Sequence, residues 1–157
     1  MATFPDFDAL GITVDGHVAT IEIQRPPHNF FDYALIQQIA TAMEIIDGDS
    51  NLRAAVLCAA GKSFCAGANF SSDGTSSSEQ KTDADGSPAN HLYVEAVRLF
   101  STKTPIVGAV QGAAIGGGFG LSLVPDFRVA APEARFAANF TRLGFHPGFG
   151  LTYTLPA

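Results

Sequence analysis

The groups in this chain best placed to do chemistry are backbone amides. Two loops of small residues, "FCAGANF" at 64–70 and "AAIGGGFG" at 113–120, each follow a short apolar run. Small residues let a ligand approach the backbone closely and leave N–H groups unshielded. A helix starting at the glycine run has first-turn N–H groups with no intrahelical partner and the positive end of the helix dipole. Two such sets of amides converging on one point make an oxyanion hole for charge developing on a carbonyl oxygen. The same glycines also suit a tight helix–sheet contact with no ligand.

Other glycine-loop chemistries fail on particular residues. A dinucleotide fingerprint needs a sixth-position glycine, but counting from Gly116 gives Leu121 and from Gly118 gives Leu123. A P-loop needs Gly-Lys-Ser/Thr after the glycines, and Phe119, Gly120 and Leu121 stand there. No G-x-S-x-G nucleophile elbow occurs.

Composition narrows the partners. Lys and Arg total 9 against 15 Asp and Glu, a net charge of −6, with no basic cluster. That argues against nucleic acid but leaves room for an anionic small ligand held by backbone amides. Cys58 and Cys65 match neither a zinc spacing nor a disulfide framework and read as buried thiols in a reducing compartment. No metal site is expected. The N-terminus lacks the order of a secretory signal, and no run is long and apolar enough to span a membrane. A cytoplasmic protein is the expectation.

The elements that must position the loops are interleaved strands and helices. "GITVDGHVATIEIQRP" alternates around Asp15 and Gly16 and predicts a hairpin ended by Pro26 and Pro27. Asp32 can cap a helix whose buried face is Leu35, Ile39, Met43 and Ile46, ending at Gly48. "RAAVLCAA" at 53–60 suits a buried strand, and "GKSFCAGANF" follows as a loop. The Ser-, Asp- and Gly-rich stretch 71–89 is expected to be a mobile surface loop. Leu92, Ala96, Leu99 and Phe100 recur at helical spacing, Pro105 opens the strand "IVGAVQG", and "FRVAAPEARF" reads as a strand and turn. The order implies an α/β fold in one domain, 1–157.

Four segments in order carry a family resemblance: "RPPHNFF", "AAGKSFCAGANF", "KTPIVGAVQGAAIGGGFGLSLVPDFRVAAPEARF" and "LGFHPGFGLTYTLP". Together they resemble the crotonase superfamily, the enoyl-CoA hydratase/isomerase family, over nearly all the chain outside 71–89. The resemblance implies a spiral of repeated ββα units and an acyl-coenzyme A thioester as substrate. Coenzyme A enters as part of that substrate, with no tightly bound cofactor. It implies an enolate held by the amides of Ala68 and Gly117. Ala66 and Ala68 fall on the coenzyme side, and Ile115, Gly116 and Leu143 on the acyl side; Asn69, Gly117 and Phe140 are counted with them among the thioester-binding residues. A homotrimer or hexamer is implied for the full-length form, built by C-terminal helices that lie beyond "LTYTLPA". On this reading, apolar surface meant for those helices is left exposed.

The chain departs from the family pattern where hydratases of the family keep acids. Gly120 and Phe140 stand at the positions of the two shared glutamates, and Gly148 at a third acidic position used by other members. None of these side chains transfers a proton. His146, in "LGFHPGFG", can serve as acid or base, or can simply bond a backbone carbonyl beside Pro147. His91 and Tyr93 read as a surface helix start, Asn69 and Asp73 as loop-fixing residues, and Arg142 as a surface cation. His17 and His28 have no evident work. The resulting expectation is a hydratase-type lyase or an isomerase of acyl-CoA metabolism. A non-catalytic acyl-CoA-binding relative and a decarboxylase-type member using His146 are the alternatives.

Overall fold

The computed structural model describes residues 2–69 and 92–156. The stretch 71–89, Asp73 and His91 lie outside the described residues.

The chain opens with the predicted hairpin. β1 (Leu10–Asp15) pairs antiparallel with β2 (Val18–Ile23), with Leu10 opposite Ile23 and Asp15 opposite Val18. Gly16 takes φ +56°, which the tight two-residue turn requires. Ala19, Ile21 and Ile23 all point into the core, as the alternation demands. α1 (Tyr33–Gly48) follows, with Asp32 Oδ1 accepting from the Leu35 N–H at 2.9 Å. Leu35, Ile39, Met43 and Ile46 are all buried. The helix ends at Gly48, as expected, and Asp49 caps it in an extended conformation, its N–H donating to Ile46 O. The chain leaves the helix extended, so no left-handed glycine is needed.

From here each turn of the chain visits two sheets. β3 (Ala54–Ala59) joins the first sheet and β4 (Ser63–Cys65) the second, before α2 (Leu92–Leu99). β5 (Ile106–Val110) and β6 (Ala113–Ile115) repeat the step before α3 (Gly117–Ser122). β7 (Phe127–Ala130) and β8 (Arg135–Ala137) repeat it again before a 3-10 turn at Phe140–Leu143 and α4 (Leu151–Thr154). The large sheet has the order β1-β2-β3-β5-β7, parallel from β2 onward, and the small sheet β4-β6-β8 is parallel throughout. This is a spiral of ββα units.

The small sheet is the part the sequence reading lacked. β4 lies inside the expected loop, and "FRVAAPEARF" is two strands in two different sheets. Segments of three residues are too short to show alternation. They become strands only because the preceding large-sheet strand delivers each beside the last.

α2 is fastened to α1 by polar groups. The Arg98 guanidinium bridges Glu44 on α1, at 2.6 Å, and Glu95 on its own helix. Tyr33 Oη donates to Glu95 at 3.2 Å. At the far edge, β7 leaves Phe127 and Val129 each 66% exposed. No described helix is long and apolar enough to cross a membrane.

The two cysteines differ. Cys65 is fully buried on β4, whereas Cys58 on β3 is only half-buried, so the expectation of two buried thiols holds for one. Burial pushes the Cys65 thiol up to about 12 and raises that of Cys58 as well. The thiolate is the reactive form. At pH 8 iodoacetamide is therefore expected to spare Cys65 in the folded protein and to label it once urea is added. Mass spectrometry of the labelled peptides checks this, and rapid native labelling at Cys65 would contradict its burial.

Candidate active site

The two small-residue loops meet. Their contact is prepared by the segment between β2 and α1, where Asn29 is completely buried with φ +50°, a conformation asparagine tolerates. Its Nδ2 donates to Ala60 O and Ser63 O, each at 2.7 Å, and its Oδ1 accepts from the Arg25 N–H at 2.9 Å. Beyond Asn29 the chain pairs directly with the first loop. The Ala66 N–H donates to His28 O and the Phe31 N–H to Gly67 O.

Gly67 then brings the first loop against the second. It takes φ +79°, and a Cβ there would lie 2.7 Å from Ile115 O and 3.6 Å from Gly117 N. Gly118 makes the other close approach, since a Cβ would lie 2.0 Å from Cys65 O. The glycine run therefore divides its work. Gly118 packs on Cys65, and Gly117 packs as tightly on Phe31, where a Cβ would lie 2.2 Å from Cζ. Gly116, with φ +55°, caps α3: its carbonyl accepts from the Phe119 and Gly120 N–H groups, and its own N–H donates to Ala137 O on β8. Among the described residues, neither the Gly117 nor the Ala68 N–H donates to a protein carbonyl outside regular elements. Gly117 is the first residue of α3, so no intrahelical partner exists for it either.

Both of these residues line a cleft of about 330 Å³. The cleft also takes in Ala66, Ile115, Gly116, Phe140, Leu143 and His146. Asn69, counted with the thioester-binding residues by the resemblance, is exposed and lies outside this lining. Three aromatic residues join it that the loop motifs did not reveal: Phe31, Phe145 and Phe149. Tyr93 lines it too, which corrects its reading as a mere surface helix start; α2 carries the ring to the cleft mouth. The signal that could have found Tyr93 is its place on the polar edge of the Leu92–Leu99 face.

The cleft is apolar, and no carboxylate lines it among the described residues. Tyr93 and His146 are its titratable side chains. His146 is exposed, and its Nδ1 lies 2.8 Å from Pro147 O. A carbonyl only accepts, so Nδ1 carries the proton and Nε2 keeps its lone pair. Local bonding and availability as a base thus coexist in one ring. Arg142 is exposed and forms no ion pair among the described residues. His17 bonds Asn51 O through Nδ1 at 2.7 Å, and His28 packs on Phe30. The described residues contain no cluster of side chains suited to a metal ion.

The fold is a two-sheet ββα spiral whose two small-residue loops meet at an apolar cleft. Comparisons with known proteins identify the family. Residues 13–157 match the enoyl-CoA hydratase/isomerase family. A probable enoyl-CoA hydratase of Mycobacterium tuberculosis is 37% identical over 154 residues, covering 95% of this chain and 57% of that protein. The 1,2-epoxyphenylacetyl-CoA isomerase of Escherichia coli is 32% identical over 145 residues, covering 91% of this chain and 55% of that one. Among solved structures, enoyl-CoA hydratase subunit I of Geobacillus kaustophilus superposes with a TM-score of 0.82 at 32% identity, covering 96% of this chain and 57% of that chain. The chain belongs to the enoyl-CoA hydratase/isomerase family. It spans little more than half the length of these relatives.

Proposed function

We propose that the cleft binds an acyl-CoA thioester with its carbonyl oxygen between the Ala68 and Gly117 amides, and that it stabilises the enolate formed there. What supports this reading is the contact of the two loops at Gly67, beside an apolar cleft that Ala68 and Gly117 both line, with no backbone acceptor for either N–H among the described residues. Preorganised donors act most strongly on an oxygen that gains charge during the reaction. His146 Nε2 is the base. It takes the α-proton, and the C–H electron pair moves through the α-carbon onto the thioester oxygen. Return of that proton to a different carbon completes an isomerisation. In a hydration the same base takes its proton from water instead: the water oxygen bonds the β-carbon of an α,β-unsaturated thioester, the C=C pair moves onto the thioester oxygen, and the imidazolium returns the proton to the α-carbon. Ala66 and Ala68 border the coenzyme side, with Asn69 just outside. Ile115, Gly116, Phe140 and Leu143 border the acyl side. The full-length protein acts in the cytoplasm as a trimer or a pair of trimers.

A second reading rests on the missing carboxylates. A relative that keeps the amides and has lost the acids binds acyl-CoA without turning it over. Calorimetry with a panel of acyl-CoA esters tests the shared part, and silence with all of them would sink both readings. His146→Ala is expected to lower turnover by about 100-fold or more while leaving thioester affinity unchanged. Turnover equal to that of the unmodified protein would remove His146 from the mechanism. Turnover absent in the unmodified protein under every substrate would favour the binding relative.

A further inference from the structure

Two glycines behind the cleft wall are matched to aromatic residues from other elements. A Cβ on Gly120 would lie 2.7 Å from Cβ of Phe149, and a Cβ on Gly148 would lie 2.2 Å from Oη of Tyr93. No side chain fits at either position without displacing a ring. Phe149 is itself unusual. It takes φ +56°, a region unfavourable for a bulky L-residue, yet its side chain is only 2% exposed. Its ring is held by Phe31, with centroids 5.7 Å apart, and by Phe100, at 6.3 Å. Such conformations persist where the surroundings over-determine them, and they concentrate at functional sites.

Phe149, Phe31, Tyr93, Phe140 and Phe145 all line the same cleft. Rings are flat and rigid, and they pair with other π systems in offset or edge-on arrangements. A cavity of about 150 Å³ suffices for one benzene ring. The cleft's 330 Å³ is therefore ample for one ring-sized group and its thioester carbonyl.

From this geometry we infer that the site selects a flat, apolar acyl group, and that Phe149 is the specificity-determining residue that closes the deep end of the cleft. The inference rests on the acyl-CoA reading of the same cleft. It does not depend on which reaction follows, because selectivity is read in binding.

The test is calorimetric titration of the unmodified protein and of Phe149→Ala with free coenzyme A, acetyl-CoA, benzoyl-CoA and decanoyl-CoA. In the unmodified protein, benzoyl-CoA is expected to bind at least about ten-fold tighter than either of the other esters. In Phe149→Ala that preference over decanoyl-CoA is expected to fall by about ten-fold, as the deep end opens. Esters bound without discrimination, or a ranking untouched by the substitution, would overturn the selectivity and leave the acyl-CoA reading standing. No binding of any ester or of coenzyme A would remove both. Should Phe149→Ala fail to fold by circular dichroism, Phe149→Leu keeps the apolar filling, and a smaller shift in the same direction is expected from it. An unchanged ranking in Phe149→Leu would then count against the inference.

Discussion

Replacing Asn29 with alanine is expected to cost about 3 kcal/mol of stability, because it strands Ala60 O and the Arg25 N–H and takes one of two side-chain donors from Ser63 O. The side chain is fully buried and bonds Ala60 O, Ser63 O and the Arg25 N–H at once. Buried backbone groups without partners carry their full desolvation penalty. Alanine adds a second cost, since Asn29 has φ +50° and a residue whose side chain cannot bond the local backbone is poorly suited there. The loss is not the whole of the loop's support. Gln111 Nε2 donates to Ala59 O, Gly61 O and Ser63 O from the β5–β6 junction. Ser63 O therefore keeps one partner and Ala60 O loses its side-chain donor. The fold should persist, with a lower midpoint and a loosened first loop. For a domain of this size that corresponds to a fall of roughly 10 °C in Tm. Thermal unfolding followed by circular dichroism measures it, and a fall under about 2 °C would show that the three bonds are not what seats the loop. Binding of an acyl-CoA ester by the folded fraction should weaken as well, because the Ala68 amide is placed by that loop.

What the sequence makes legible is set by how local the cause is. α1 is readable because a cap and four apolar residues at helical spacing act within one element, and Asp32, Leu35, Ile39, Met43 and Ile46 behave accordingly. The hairpin is readable for the same reason. β4, β6 and β8 are not, because each has three residues and owes its strand character to a neighbour supplied by a distant segment. The amide site lies between these cases. Small residues in both loops mark it in sequence, yet only the fold tells what each glycine packs on. Gly117 and Gly118 are adjacent, and a Cβ on the first would meet the Phe31 ring while one on the second would meet Cys65 O. The aromatic part of the cleft was least visible. Nothing near Phe149 in the chain says that its ring stands over Gly120, and Tyr93 looks like any exposed residue of an amphipathic helix.

That last contact changes how Gly120 is understood, and it sets the second large prediction. From the family resemblance alone, Gly120 is a place where a glutamate has been lost, and putting one back should move the site toward hydration. The packing says otherwise. The first carbon of any side chain at 120 would stand 2.7 Å from Cβ of Phe149, 3.0 Å from its Cδ1 and 3.0 Å from its Cγ. Gly120 is buried, and so is Phe149, whose ring is in turn held by Phe31 and Phe100. Gly120→Glu must therefore push aside a wedged ring and also bury a carboxylate among apolar groups. Overpacking of this kind costs about 1–3 kcal/mol, and an unpaired buried polar group adds a comparable amount. The single variant is expected to lose about 3 kcal/mol or more and to gain no hydratase turnover. Gly120→Glu combined with Phe149→Gly removes both the obstructing Cβ and the ring, at a position whose φ of +56° suits glycine. It should recover part of that stability and let the carboxylate face the cleft, so the two substitutions are expected to be strongly non-additive. Denaturant unfolding of the two single variants and the double variant completes the cycle, with crotonyl-CoA hydration as the activity readout. Additive stabilities, or a Gly120→Glu protein that is both stable and active as a hydratase, would show that Phe149 does not hold the space. If the coupling is found, the absence of an acid at 120 is one side of a replacement whose other side is an aromatic floor. A proton carrier for this cleft then has to come from elements that reach it past that ring, which is where His146 and Tyr93 stand.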